Sequence, residues 1–148
     1  MVGLLDLPTE PIADGEAMHR LGRYLARQLG PGDALALIGP LGAGKTTLIQ
    51  GLADGLGIDT ESVVSPTFAL VHHYKGGEVP LIHADLYRLG SKQEAEAAGL
   101  GDLLHDPEAI VAVEWPLLAA DWLPRHTIWL HITTLGTARQ VIQVLSPA

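Results

Sequence analysis

Apolar residues fall on a helical spacing in two places along the chain. Met18, Leu21, Leu25 and Leu29 repeat every three or four residues behind Asp14, which predicts an amphipathic helix capped by Asp14 and running to about Leu29. Gly30-Pro31-Gly32 breaks it. Leu48, Leu52 and Leu56 mark a second helix over Lys45 to Leu56, with Gly57 at its C′ position. Between the two, Asp33 to Ile38 is a short apolar run suited to a buried strand, and Gly39 to Gly44 is a glycine-rich loop.

The pattern then changes. Phe68 to Tyr74 and Val79 to Tyr87 read as strands separated by Lys75-Gly76-Gly77-Glu78, which predicts an antiparallel hairpin. Ser91 to Ala98 reads as a short polar helix and Gly101 to Leu104 as a further helical turn. Ile110 to Trp115 is a second buried-strand candidate, ended by Pro116. Thr127 to Thr133 and Arg139 to Leu145 form two more strands joined through Leu135-Gly136-Thr137. Strand, loop and helix followed by further strands predict an α/β fold with a mixed parallel and antiparallel sheet flanked by helices. No repeat or linker is visible, so residues 1–148 read as one domain.

Composition narrows the function classes. Hydrophobic residues make up 47% of the 148, and this excludes a disordered chain. A net charge of -8 argues against direct gripping of nucleic acid, which needs clustered Lys and Arg. The absence of cysteine excludes thiolate nucleophiles and Cys-ligated zinc. Met1 to Glu10 carries Asp6 and Glu10 and no basic residue, unlike a secretory signal. No apolar run approaches the ~18 residues that span a bilayer, so a cytoplasmic protein is expected.

Gly39-Pro40-Leu41-Gly42-Ala43-Gly44-Lys45-Thr46 fits G-x-x-x-x-G-K-S/T at every fixed position. About 0.003 such matches are expected by chance at this composition, so an ordinary glycine-rich turn is the weaker reading. Glycines let the loop turn its N–H groups onto a phosphate, and the following helix aims its positive end at the same anion. Lys45 reaches the β- and γ-phosphates, and the Thr46 hydroxyl ligates Mg²⁺. The P-loop predicts ATP and Mg²⁺ as cofactors.

Such a site needs an acidic residue at the end of a neighbouring strand to hold Mg²⁺. Glu114 follows four apolar residues and fits that place, although strand-end carboxylates that merely reach solvent are common. Asp85 is the other candidate. Alternation puts His83, Asp85 and Tyr87 on one face of a strand, where Asp85 could position water, support the metal, or simply bond Arg88. Thr67, in Ser65-Pro66-Thr67-Phe68, could sense the γ-phosphate, or the segment could be a Pro-led turn. His72, His73, His83 and Asp85 make a poor metal cluster, because adjacent strand residues face opposite ways. Trp115, Trp122 and Trp129 read first as core or interface residues; if one touches nucleotide or partner, Trp115 is the best placed, since it follows Glu114. No arginine stands obviously beside the γ-phosphate: Arg88 follows Asp85, and Arg139 lies far along the chain.

Several P-loop classes are excluded. The chain has no asparagine, so it lacks the guanine-selecting loop of GTPases. It also lacks an ABC-type signature and the length of an AAA+ module with its lid. Three readings remain: an ATPase, a small-molecule kinase, and a nucleotide-dependent binding module with negligible hydrolysis.

Taken together, Leu41-Gly42-Ala43-Gly44-Lys45-Thr46-Thr47, Ser65-Pro66-Thr67-Phe68, His83-Ala84-Asp85-Leu86-Tyr87-Arg88-Leu89 and Glu114-Trp115-Pro116 resemble the TsaE (YjeE) family, in family order and spacing. That family is the P-loop ATPase of bacterial tRNA threonylcarbamoyladenosine biosynthesis. The resemblance implies a P-loop NTPase fold and Mg²⁺ ligation by Thr46 and Glu114. It implies catalytic roles for Asp85, Glu114 and Thr67. Gly39, Leu41, Gly42, Ala43, Gly44, Lys45, Thr46, Thr47, Trp115 and Arg139 form the expected nucleotide-contacting set. It also implies a slow ATPase that resets a TsaB–TsaD complex between turnovers, with tRNA met only through those partners. Two positions depart from the family pattern: Pro40 stands where an acidic residue is common, and Met18 where threonine is common.

Overall fold

Asp14 opens the first helix as its side chain predicts: Asp14 Oδ1 accepts from the Ala17 N–H at 2.9 Å. In the computed structural model, which describes residues 4–59, 71–86, 93 and 99–145, this helix is α1, Gly15–Ala26. It buries Met18, Leu21, Gly22 and Leu25. It stops about one turn short of the expected Leu29. The Gln28 side chain instead brackets the Asp6 backbone, accepting from its N–H at 2.8 Å and donating to its C=O at 3.1 Å.

The order continues β1 Ala34–Ile38, α2 Lys45–Gly55, β2 Val71–Tyr74, β3 Leu81–Asp85, α3 Leu100–Leu103 and β4 Ile110–Glu114. A 3₁₀ helix over Pro116–Trp122, β5 Ile128–Leu135 and β6 Ala138–Val144 complete it. The six strands form one sheet in the order β2-β3-β4-β1-β5-β6. β3, β4, β1 and β5 run parallel, and the hairpin partners β2 and β6 are antiparallel at the two edges. The expected mixed sheet is therefore observed. The Ser65 to Phe68 segment with Thr67, residues 87–90 with Arg88, and most of the Ser91 to Ala98 helix lie outside the described residues.

Alternation along the strands sends side chains to two cores. Leu35, Leu37, Leu81, Ile110, Ala112 and Leu130 pack under α1 and α2. Ala34, Ala36, Ile82, Ala84, Val111 and Val113 pack under α3 and Leu123. The two long helices touch backbone to backbone. A Cβ at Gly22 would stand 2.1 Å from the Leu48 carbonyl oxygen, and one at Gly51 2.0 Å from that of His19. This contact, with the burial of Leu48, Ile49 and Leu52, fixes where α2 begins over the C-terminal ends of β1 and β4. Among the described residues no helix is long and apolar enough to cross a membrane.

Candidate functional site

β1 ends at Ile38 and α2 starts at Lys45, and the residues between them make the loop. Gly42 and Gly44 take φ of 77° and 103°, a region that side-chain-bearing residues rarely adopt. Gly39 answers a different need: a Cβ there would lie 2.9 Å from the Ile132 carbonyl oxygen of β5. Ala43 N–H donates to Pro40 C=O at 3.1 Å and closes the turn, so proline at this position leaves it intact. Met18, the other departure, packs beneath the loop, 3.2 Å from where a Cβ on Gly44 would sit. Ala43 is buried, Thr46 and Thr47 half-buried, and Leu41 projects from the tip, 67% exposed.

Lys45 lies within this turn. Its ammonium donates to the carbonyl oxygens of Gly39 and, at 3.1 Å, of Pro40. The same ammonium sits 3.7 Å above the centre of the Trp115 ring, a cation–π distance. Burial pushes Lys45 below the ordinary lysine range, while the nearby Glu114 and Asp85 carboxylates act in the opposite direction. Trp115 reaches this place by an unusual backbone. Its φ of 55° is the one positive value at a non-glycine among the described residues, and Pro116 follows it.

Glu114 does not reach out to solvent from its strand end; it is 3% exposed. The Thr46 hydroxyl lies 3.3 Å from each of its carboxylate oxygens. His83 Nε2 lies 2.6 Å from Glu114 Oε2, with side-chain exposures of 0% and 4%. A hard oxygen pair at the N-terminus of a phosphate-loop helix suits Mg²⁺, which takes one or two protein oxygens and completes its shell with water and phosphate. Among the described residues no group of three His, Cys, Asp or Glu could hold a metal ion by itself. His72 Nδ1 is instead bonded to the Tyr74 hydroxyl at 2.7 Å.

Asp85 pairs with Glu114 in the β3–β4 register, so the two carboxylate-bearing residues end adjacent parallel strands. Arg139 lies far along the chain but beside the loop. Its Nη2 donates to the Gly42 carbonyl oxygen at 3.3 Å across 97 residues of sequence. The structure thus gathers Gly39 to Thr47, Glu114, Asp85, Trp115 and Arg139 at one end of the sheet, while Thr67 lies outside the described residues. The sequence reading missed the pairing of His83 with Glu114. The signal was available: a lone polar residue within an apolar strand, two positions before Asp85 and on its face.

The family model described as threonylcarbamoyl adenosine biosynthesis protein TsaE matches residues 12–141. A Bacillus subtilis protein named tRNA threonylcarbamoyladenosine biosynthesis protein TsaE is 43% identical over 121 residues, covering 82% of this chain and 74% of that one. A protein of the same name from Nostoc sp. is 48% identical over 107 residues, covering 70% of this chain and 65% of its own length. The crystal structure of Bacillus subtilis YdiB superposes with a TM-score of 0.69 at 29% identity, covering 90% of this chain and 82% of YdiB.

Proposed function

The chain belongs to the TsaE family, whose members serve tRNA threonylcarbamoyladenosine biosynthesis, and on that footing we propose that it is the ATP-hydrolysing subunit of that modification, acting on a TsaB–TsaD complex and meeting tRNA only through it. The observation that carries the reading is the Thr46 hydroxyl held 3.3 Å from both oxygens of the buried Glu114 carboxylate. That pair stands at the start of α2, beside the Lys45 ammonium.

Each residue then has a task. The loop N–H groups and the first turn of α2 cradle the phosphates. Lys45 exchanges the Gly39 and Pro40 carbonyls for β- and γ-phosphate oxygens, and Trp115 supports its ammonium on the other side. Thr46 and Glu114 hold Mg²⁺, which when bound offsets the negative charge on the phosphates. Asp85 orients the attacking water, and Thr67 senses the γ-phosphate and relays it to the docking surface. Arg139 contacts the nucleotide from the outer side of the loop.

Steady-state ATP turnover with the TsaB–TsaD pair titrated in tests this. Turnover by the isolated chain is expected to be slow and to rise as the pair is added, because partners supply charge or order to the transition state. Fast turnover that ignores the partners, or phosphate delivered to an acceptor other than water, would replace the ATPase reading with a kinase.

A further inference from the structure

We propose that His83 is a positioning residue for the metal-binding carboxylate: its Nε2–H holds Glu114 in the rotamer that faces Thr46 and keeps it off Lys45. The inference rests on the reading of Glu114 as a Mg²⁺ ligand and goes beyond it, since His83 touches neither metal nor nucleotide in that scheme.

The geometry is specific. His83 lies opposite Ala112 in the parallel β3–β4 register, two residues before Glu114, so its ring reaches diagonally to the carboxylate. The 2.6 Å contact lies where neither side chain meets solvent. A carboxylate only accepts hydrogen bonds, so Nε2 is the donor. Among the described residues, His83 Nδ1 is the one buried side-chain nitrogen or oxygen without a partner. With the proton on Nε2, the neutral ring leaves Nδ1 as an acceptor. The ring therefore has one polar task, and Glu114 is its object.

The task matters because of what Glu114 would otherwise do. A glutamate has three rotatable bonds, and a buried carboxylate seeks the nearest cation. That cation is Lys45, whose ammonium already feels Glu114 and Asp85. No ion pair joins Lys45 to Glu114 among the described residues; the carboxylate is turned toward Thr46 and His83 instead. A Glu114 turned toward Lys45 no longer faces Thr46, and the metal loses a ligand. A hydrogen-bond donor on Oε2 prevents it, as supporting residues commonly do for ligating side chains.

The test compares His83→Leu, which fills the space without a donor, with His83→Gln, which restores one. The affinity of a fluorescent ADP analogue is measured in EDTA and across a Mg²⁺ titration. His83→Leu is expected to raise the half-saturating Mg²⁺ concentration about 10- to 100-fold while the EDTA affinity stays near wild type. His83→Gln is expected to recover most of that loss. In the metal-free protein, a slowly exchanging imidazole N–H resonance is expected for His83 and should vanish in Glu114→Ala. An unchanged Mg²⁺ titration in folded His83→Leu would overturn the inference. So would an equal fall of both affinities, which marks a purely structural role. If the leucine variant does not fold, His83→Asn takes its place, because the shorter amide cannot reach Oε2. Failure of the underlying reading is separable: Glu114→Ala would then leave the Mg²⁺ titration unchanged.

Discussion

Arg139 joins the last strand to the phosphate loop through one hydrogen bond, Nη2 to the Gly42 carbonyl oxygen at 3.3 Å. Its backbone also pairs with Ile12, with N–H to O distances of 2.6 and 2.8 Å. The N-terminal segment, β6 and the loop therefore meet at one residue. Replacing Arg139 with alanine should weaken nucleotide binding by roughly fivefold, the worth of about one net hydrogen bond. The melting temperature should stay nearly constant, because the backbone pairing does not need the side chain. Displacement of a fluorescent ATP analogue measures the first quantity and a thermal melt the second. Unchanged affinity would remove Arg139 from the nucleotide-contacting set.

Lys45→Ala should lower nucleotide affinity by ~100-fold, since two charge-assisted contacts to phosphate oxygens are lost at about 1.5 kcal/mol each. The ammonium is buried and its charged form disfavoured by that burial, so its removal should leave the nucleotide-free protein no less heat-stable. Calorimetric titration with ADP and a melt of the free protein check both halves. Affinity within twofold of wild type would contradict the loop assignment.

The contact between α1 and α2 predicts a stability effect. A methyl group at Gly51 would stand 2.0 Å from the His19 carbonyl oxygen, so the helices must part. Gly51→Ala should destabilise by about 1 to 3 kcal/mol. At ~2 to 4 °C per kcal/mol for a domain of this size, the melting point should fall by roughly 2 to 12 °C. A melting curve that matches wild type would show that the helices are not locked at this distance.

His72 predicts a pH dependence. Burial holds its imidazole below the ordinary histidine value of 6.5. The unfolded chain therefore binds the proton more readily, and stability is lost as pH falls through 6.5 toward the folded value. His72→Gln should reduce the loss of urea resistance between about pH 7 and pH 5. An identical loss in variant and wild type would assign the dependence to other groups.

Much of this architecture is visible in the residue pattern. The Asp14 cap, the leucine stripe of α2 and the apolar runs of β1 and β4 each have one physical solution, and the structure adopts it. The end of α1 was less legible, because Gln28 is drawn to the Asp6 backbone by a contact that no local pattern encodes. The P-loop could be read because its chemistry fixes residue type and spacing within eight positions. His83 and Arg139 could not be read in the same way. Their partners, Glu114 and Gly42, are 31 and 97 residues away, and only strand register brings them together. Alternation gave His83 a face but not a neighbour.

The most direct measurement is multiple-turnover formation of threonylcarbamoyladenosine on tRNA by the TsaB–TsaD pair, with a preformed threonylcarbamoyl donor so that ATP serves only this chain. With the wild-type chain, ATP and Mg²⁺, product should accumulate well beyond one modification per complex. With Glu114→Ala it should stall near one, even though the chain remains folded. Equal accumulation with wild type, Glu114→Ala and no added chain would contradict the proposal that ATP hydrolysis at the Thr46–Glu114 site drives the cycle.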